Sequence, residues 1–520
     1  MRLALILSSL LAVAAHVMRA QTGQCTPAEG IVCAPAGGVR GVVEDGVISY
    51  RGIPYAQSPV GLRRWRPPLP MEPWSGVRDT LRFGPMCPQV AGNEVVGEED
   101  CLTLNVWVPR TRTEQSLAVM VYLTGGGNHG QSGQGGGGAN FVGNRLTKEG
   151  VILVTVNIRL GALGFLTHPA LDAESDRRIS GNYGSQDHLL MLRWVNQNIK
   201  AFGGDPNRVF LFGTSAGGAT ICGFLTSPLA RGLFHGAVMQ SSVPTGCEYV
   251  TKEQAQSGTG ARLAKALGCD RLPDVATCLR EKTPRDIVRA IPAVTNLFPR
   301  TYGPIVDGYV YPEQPMKRLT EGQVARVPVV MGNNLEEAAS WVDALGPIEN
   351  SDQYRDALGR VFGRELSDKV VAEYPVASYA SPRAALIRAA TDGLFTCMTR
   401  RVTRELAMNG GEPVYRYLFT HRLEHSRDGA VGHSVEMPLL FQSWSNYAPG
   451  SSDIVVSEGM VRYWTQFAKT GHPDPSKRWR AVSRAASPYM ELNERFEMKI
   501  DQADGHCQFW ASVGLPSPHL

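Results

Sequence analysis

A strand, a short turn and a helix follow one another without a gap at residues 209–224. Residues 209–212 are apolar, residues 213–217 spell Gly-Thr-Ser-Ala-Gly, and the residues after Gly217 suit a helix. The turn is tight, and its two glycines leave room for neighbouring strands to approach. The pattern therefore predicts a buried strand that ends by presenting Ser215 at the start of a helix.

The rest of the chain repeats this alternation of short apolar strands and amphipathic stretches. Residues 188–199 are predicted to be helical, and no internal repeat or long linker interrupts the pattern. The sequence therefore predicts an α/β fold, with a mostly parallel central sheet and helices on both faces, in one domain over residues 21–520. The clearest predicted strands are residues 117–123, 151–158, 208–212, 327–331 and 414–419.

The first twenty residues are typical of a secretory signal peptide. Arg2 precedes an apolar run that starts at Leu3 and ends in small residues. That run is shorter than the roughly 20 residues needed to cross a bilayer, so we expect cleavage and no transmembrane anchor. A formal net charge of +4 without a dense Lys/Arg cluster predicts against nucleic-acid binding. The expected location is the periplasm or the medium.

Ten cysteines support export, because an even count is usual in an oxidising compartment. No Cys-x-x-Cys pair occurs, which predicts against a zinc site. Spacing assigns no partner to Cys222 or Cys247. The pairs that spacing suggests are Cys25 with Cys33, Cys87 with Cys101, Cys269 with Cys278, and Cys397 with Cys507.

Ser215 is the candidate nucleophile, since a hydroxyl on such a turn is activated by a neighbouring base. A second motif, Thr-Gly-Gly-Gly-Asn at residues 124–128, follows the strand 117–123. Its consecutive glycines predict an oxyanion hole formed by the N–H groups of Gly126, Gly127 and Ala216. The alternative is dinucleotide binding by a Gly-x-Gly-x-x-Gly pattern at residues 125–130. The glycine-rich residues that follow are poorly suited to start the helix that pattern requires.

The acid and the base are expected on loops after later strands, in the chain order Ser, acid, His. Glu336 and Glu337 follow the predicted strand 327–331, and His433 follows the strand 414–419. Spacing does not choose between the two glutamates. Together these residues predict a Ser-His-Glu hydrolase that needs no metal and no organic cofactor.

These motifs resemble the type-B carboxylesterase/lipase family, which includes the cholinesterases, over nearly the whole chain. Residues 99–106 (Glu-Asp-Cys-Leu-Thr-Leu-Asn-Val) resemble its second signature, and residues 181–187, 194–205 and 213–217 also follow its pattern. The resemblance implies an α/β-hydrolase fold of a secreted, bacterial-type carboxylesterase. From the pattern along the chain, residues 335–388 are the best candidate for a helical insertion over the active site.

The resemblance also implies roles for single residues. It makes Glu337, rather than Glu336, the acid of the triad, and it places His433 in the family's His-Gly-x-Glu-like catalytic segment as the base. Ser241 resembles a residue that supports the triad, although an ordinary serine at the end of a strand is an equal alternative. The implied disulfides are Cys87–Cys101, Cys269–Cys278 and Cys397–Cys507.

Several positions depart from the family pattern and concern the binding pocket. The loop between Cys87 and Cys101 lacks tryptophan, which predicts against a choline ester because an aromatic face attracts quaternary ammonium. We expect a small soluble ester as substrate, because the sequence shows no long apolar patch or lid segment. Lipase, amidase and thioesterase activity are the alternatives. A binding protein of the same fold is the alternative from another class. The departing residues are Thr124, Asn128, Thr214 and Ala338.

Overall fold

The structure is a computed structural model of the chain. The signal peptide predicted at residues 1–20 lies outside the residues that it describes. The described residues are 25–111, 114, 116–136, 139–242, 247–291, 301–426, 429–445, 447–501 and 505–514.

An eleven-stranded sheet forms the centre of the molecule. Short apolar runs, many of them rich in β-branched and aromatic side chains, supply its inner strands, as expected for strands that are covered on both faces. Its strands are β1 (Val42–Glu44), β2 (Val47–Pro54), β3 (Thr103–Pro109), β4 (Leu117–Leu123), β5 (Ile152–Val156), β6 (Gly204–Thr214), β7 (Gly236–Gln240), β8 (Val329–Asn334), β9 (Val414–Phe419), β10 (Pro488–Leu492) and β11 (Glu497–Ile500).

The sheet is mostly parallel, which confirms the predicted fold class. Its strand order is β11-β10-β9-β8-β7-β6-β4-β5-β3-β2-β1. The neighbours from β10 to β5 pair in parallel, while β11 and the three strands β3, β2 and β1 add antiparallel edges. The carboxyl ends of β6, β8 and β9 therefore lie along one edge, where the loops with the candidate catalytic residues begin.

Three predicted strands differ from the observed ones at their ends, and the one predicted at residues 151–158 is the shorter β5 (Ile152–Val156). β6 begins at Gly204, where a register shift separates the Gly204–Leu117 pair from the Val209–Val119 pair. The intervening Asp-Pro-Asn segment looks like a turn in the sequence, which is why the extension was not predicted. β8 continues to Asn334, because its polar end pairs with the last residues of β9.

Helices cover both faces of the sheet. No helix among the described residues is long and apolar enough to cross a bilayer. The longer helices are α1 (Tyr183–Asn198), α2 (Ala216–Thr226), α3 (Ser351–Phe362), α4 (Arg364–Glu373), α5 (Pro382–Thr391), α6 (Cys397–Asn409), α7 (Ser451–Thr470) and α8 (Gly505–Val513). The shorter ones are Asn144–Lys148, Gly161–Phe165, Pro169–Ala173, Lys252–Ala255, Ala261–Ala266, Val275–Glu281, Pro284–Ala290, Pro315–Thr320, Ala339–Val342 and Met437–Phe441.

Side chains alternate along β4 between two apolar clusters. Val119 and Val121 pack on the face that carries α1 and α2, whereas Met120 and Tyr122 pack on the face that carries α7. This two-residue period is that of a strand with both faces buried. The two clusters hold the helices against the sheet and thereby fix the loops at its carboxyl edge.

The segment predicted as a helical insertion, residues 335–388, is helical. It contains Ala339–Val342, α3, α4 and most of α5. Its apolar side chains form a third cluster of their own, which Trp510 of α8 completes. The insertion therefore has a small core separate from the two sheet faces.

Five disulfides are present in the described residues. They include the four pairs suggested by spacing: Cys25–Cys33, Cys87–Cys101, Cys269–Cys278 and Cys397–Cys507. The fifth joins Cys222 on α2 to Cys247, the two cysteines that the sequence left without partners. Their separation of 25 residues does not by itself indicate that the two cysteines are bonded.

A buried ion pair joins the start of the Gly161–Phe165 segment to α1, and it yields a stability prediction. Both Arg159 and Asp187 are buried, and the guanidinium donates from Nε and Nη2 to the carboxylate at 2.9 and 2.6 Å. We expect Asp187→Asn to lower the free energy of unfolding by about 3–5 kcal/mol, because it leaves a buried charge without its partner.

The measurement is denaturant unfolding, with Asp79→Asn as the matched control. Asp79 pairs with Arg40 in a contact whose side chains are 60% and 53% exposed, so its loss should cost less than about 1 kcal/mol. Equal losses in the two variants would contradict a structural role for the buried pair.

Candidate active site

Ser215 lies between the end of β6 and the first residue of α2. Its backbone has φ +58° and ψ −122°, a strained conformation for a residue with a side chain. Its N–H donates to Gln240 O at the end of β7, at 2.9 Å. The sheet therefore holds the turn in place and fixes the position of the Ser215 backbone, from which its side chain extends.

The two glycines of the turn are required by close packing. A Cβ on Gly213 would lie 2.8 Å from Leu123 O, and a Cβ on Gly217 would overlap the same oxygen. The carboxyl end of β4 thus passes directly against the turn. This contact brings the glycine-rich loop after β4 next to Ser215.

The predicted oxyanion loop occupies that position. A Cβ on Gly125 would lie 3.2 Å from Ser215 Cβ. Gly126 and Gly127 then form a short 3-10 turn with φ of +71° and +62°, which glycine adopts without strain. The N–H groups at the start of that turn, like the N–H of Ala216 at the start of α2, have no acceptor within their own helix. They are suited to bind a negative oxygen beside Ser215.

The alternative interpretation as a dinucleotide-binding loop does not match the structure. The loop continues into a short hairpin of Gly135–Gly136 with Ala139–Asn140, not into a helix. A pyrophosphate site of that kind needs a helix N-terminus directly after the glycines.

Glu337 and His433 meet at the same edge of the sheet. The His433 Nδ1 atom lies 2.6 Å from Glu337 Oε2, and the glutamate side chain is fully buried. Glu336 instead forms an ion pair with Arg422, which is half-exposed. Of the two glutamates that spacing left open, the structure places Glu337 beside the histidine.

The other ring nitrogen of His433 is available for a proton. Nε2 is buried and has no hydrogen-bond partner among the described residues. Trp341 from the helical insertion lies against the imidazole with ring centroids 4.4 Å apart, and Phe395 lies at 5.5 Å. Two aromatic rings therefore pack against the imidazole of His433.

A chain of buried amides and carboxyls links the two halves of the site. The backbone N–H of Asn334 donates to Glu337 Oε1 at 2.6 Å, and its side chain donates to Glu436 Oε2 at 2.7 Å. Glu436 Oε1 accepts from Gln240 Nε2 at 3.3 Å, and Gln240 is the residue whose carbonyl holds Ser215. Glu337 and Ser215 are thus joined through one hydrogen-bond network.

Burial raises the pKa of the Glu436 carboxyl from its ordinary value of 4.5. The hydrogen bond from Asn334 opposes this shift, and the nearby Glu337 charge adds to it. In the folded protein Glu436 therefore keeps its proton over a pH range in which the unfolded chain has lost it.

The shift predicts how stability depends on pH. As the pH rises from 4.5 through the raised pKa of Glu436, the unfolded chain releases the proton while the folded protein keeps it. The contribution of Glu436 to the free energy of unfolding therefore falls over this pH range. Glu436→Gln cannot ionise, so its stability relative to the wild type should increase over that window. Urea unfolding of both proteins across the pH range measures this difference. Parallel stability curves would contradict a raised pKa at Glu436.

Ser241 directly follows β7, has φ +46° and is fully buried. Its hydroxyl has no hydrogen-bond partner among the described residues, so no such bond joins it to Glu337 or His433 there. Thr214, Thr124 and Asn128 are also buried, and Ala338 lies in the core of the insertion. Within the described part of the chain, no group of three acidic, His or Cys side chains is arranged to hold a metal ion.

The sequence alone did not identify the supporting residues of the site. Asn334 and Gln240 are unremarkable amides at strand ends, and Trp341 is one apolar residue among many in the insertion. Asn334 and Glu436 are 102 residues apart, and Gln240 and Glu436 are 196 apart. The only available signal was the position of each amide at the carboxyl end of a predicted strand.

Known proteins resemble this chain over nearly its whole length. The family model for the carboxylesterase family matches residues 28–510. Fumonisin B1 esterase from Sphingopyxis macrogoltabida is 36% identical over 461 residues, which cover 84% of this chain and 82% of that protein. Para-nitrobenzyl esterase from Bacillus subtilis (strain 168) is 32% identical over 493 residues, covering 91% and 96%.

Solved structures give the same result. A structure of PNB esterase has a TM-score of 0.80 and 31% identity, covering 93% of this chain and 100% of that one. The resemblance seen in the sequence motifs, the α/β-hydrolase fold and the enzyme class are therefore confirmed. This chain belongs to the carboxylesterase family and is a carboxylic-ester hydrolase.

Proposed function

We propose that the protein is a serine esterase that cleaves small carboxylic esters through an acyl-enzyme, with Ser215, His433 and Glu337 as its triad. The observation that carries this proposal is the 2.6 Å contact between Glu337 Oε2 and His433 Nδ1, with the opposite ring nitrogen buried and unpartnered in the described structure. A carboxylate at Nδ1 supports the tautomer with the proton on Nδ1, in which Nε2 can accept a proton from Ser215.

In the first step, Ser215 Oγ attacks the ester carbonyl while His433 Nε2 takes the hydroxyl proton. Glu337 stabilises the imidazolium that forms. The negative oxygen of the tetrahedral intermediate is bound by the N–H groups of Gly126, Gly127 and Ala216. The intermediate then releases the alcohol, which leaves with the proton from His433.

In the second step, water attacks the acyl-Ser215 ester and His433 again accepts the proton. The acid is released and Ser215 recovers its hydroxyl. Each atom of this scheme comes from the substrate, from water or from the named side chains. Ser241 is proposed only as packing beside the triad, since its hydroxyl has no partner in the described residues.

The substrate is proposed to be a small ester without a choline group. The segment between Cys87 and Cys101 forms a hairpin of Gln89–Ala91 with Glu94–Val96 and contains no aromatic residue. It therefore offers no aromatic face to a quaternary ammonium. The two relatives, fumonisin B1 esterase and para-nitrobenzyl esterase, are named for other esters.

We also propose that the enzyme is exported and acts as a single catalytic domain over residues 21–520. The disulfides support an oxidising compartment such as the periplasm or the medium. The signal-like composition of residues 1–20 supports the same location.

The acyl-enzyme is tested by partitioning between water and added methanol. Ethyl, phenyl and p-nitrophenyl butyrate would all give the same butyryl-Ser215, so the ratio of methyl butyrate to butyric acid should not depend on the alcohol that left. A ratio that changes with the leaving alcohol would contradict a common intermediate. Absence of hydrolysis for every ester would contradict the proposed activity itself.

A further inference from the structure

Gln89 connects the hairpin closed by Cys87–Cys101 to the oxyanion loop. Its Oε1 accepts from the Gln131 N–H at 2.8 Å, and its Nε2 donates to the Gln131 carbonyl at 3.1 Å. The side-chain amide thus pairs with one residue of the loop as a neighbouring strand would. The Gln89 side chain is buried, so these bonds are shielded from water.

Gln131 in turn lies against the predicted oxyanion hole. A Cβ on Gly126 would lie 3.0 Å from Gln131 Cγ, so the two residues are packed closely together. Gln131 also has φ +73°, an uncommon conformation for a residue with a side chain. The surroundings must hold such a conformation in place, and the Gln89 amide supplies two bonds that do so.

The oxyanion loop needs an anchor of this kind because of its composition. Three consecutive glycines begin it, and glycine backbones are conformationally free. In the part of the loop that follows Gln131, Asn157 Oδ1 accepts from the Gly133 N–H at 2.7 Å. On the side nearer the glycines, the carbonyl of Gly126 accepts from the N–H groups of His129 and Gly130 within its own turn.

We propose that Gln89 is a positioning residue for the oxyanion hole: its amide fixes the backbone at Gln131 and thereby the N–H groups of Gly126 and Gly127. This inference rests on the proposed function. It also gives the Cys87–Cys101 disulfide a part in catalysis, because Gln89 Nε2 donates in addition to Cys87 O at 3.1 Å. The disulfide-closed hairpin is the rigid support from which Gln89 acts.

The test compares Gln89→Met and Gln89→Glu with Val90→Ala. Methionine has a similar length but forms neither bond, whereas glutamate keeps the acceptor for the Gln131 N–H and loses the donor. Val90 is the matched control, since it lies on the same hairpin and is 49% exposed. Each variant is assayed for kcat, KM, unfolding temperature and the inhibition constant of a trifluoromethyl ketone.

The ketone reports on the oxyanion hole directly. Ser215 Oγ adds to its carbonyl carbon, the proton moves to His433 Nε2, and the carbonyl oxygen becomes the negative oxygen that the N–H groups bind. For Gln89→Met we expect kcat to fall by roughly 10- to 100-fold, with KM changed by about twofold or less. For Gln89→Met, the inhibition constant should rise by the same factor as kcat falls. For Gln89→Glu, both kcat and the inhibition constant should lie between those of Gln89→Met and those of the wild type.

The proposal is overturned if Gln89→Met matches Val90→Ala in kcat and inhibition. A fall in unfolding temperature or a rise in KM, with inhibition unchanged, also overturns it by showing a merely structural role. If Gln89→Met does not fold, Gln89→Glu decides by the same readouts. A wild-type enzyme that the ketone does not inhibit would instead contradict the proposed function.

Discussion

Ser215→Ala is expected to lower kcat for ester hydrolysis by roughly 10⁵-fold or more, because no acyl-enzyme forms without the hydroxyl. The fold should remain intact, since alanine fits the same turn and keeps the N–H that donates to Gln240 O. Activity on a p-nitrophenyl ester and the unfolding temperature together measure this prediction.

The control for this variant is Ser242→Ala. Ser242 is a second buried serine near the turn, and its own hydroxyl has no partner among the described residues. Its removal should change kcat by only a few-fold. An active Ser215→Ala enzyme, or an equal loss in both variants, would contradict the role of Ser215.

The second large effect is expected at Glu337. Glu337→Gln should lower kcat by roughly 10⁴-fold, because an amide presents the wrong partner to His433 Nδ1 and no longer stabilises the imidazolium. The measurement is the pH-independent kcat of each variant on one ester.

Glu336→Gln is the matched control, one residue away. The Glu336 carboxylate accepts from the Val431 N–H at 2.9 Å, which a glutamine oxygen also does, and its ion pair with half-exposed Arg422 contributes about 1 kcal/mol or less. We expect activity within about threefold of the wild type. An inactive Glu336→Gln beside an active Glu337→Gln would reverse the assignment.

Much of the fold could be predicted from local sequence patterns. Val119 and Met120 belong to a short apolar run, and such runs are buried on both faces of a parallel sheet. The Gly-Thr-Ser-Ala-Gly turn is also recognisable from five consecutive residues, although its glycines are required by a long-range contact with Leu123 O at the end of β4. Both features can be recognised from a few consecutive residues of the sequence.

The supporting parts of the site depend on contacts between distant segments. Gln89 and Gln131 are 42 residues apart, and Cys222 and Cys247 are joined although neither lies in a recognisable motif. Glu336 and Glu337 are adjacent, so spacing could not separate them. Only the three-dimensional structure shows that one faces Arg422 and the other His433.

The central claim is that Ser215 is the nucleophile, and covalent labelling tests it most directly. A fluorophosphonate transfers its phosphonyl group to an activated serine hydroxyl and releases fluoride. Incubation with the wild-type enzyme, followed by peptide mapping, should place one label on Ser215 and abolish hydrolysis in proportion to labelling. A label on another residue, or full activity after Ser215 is labelled, would contradict the account.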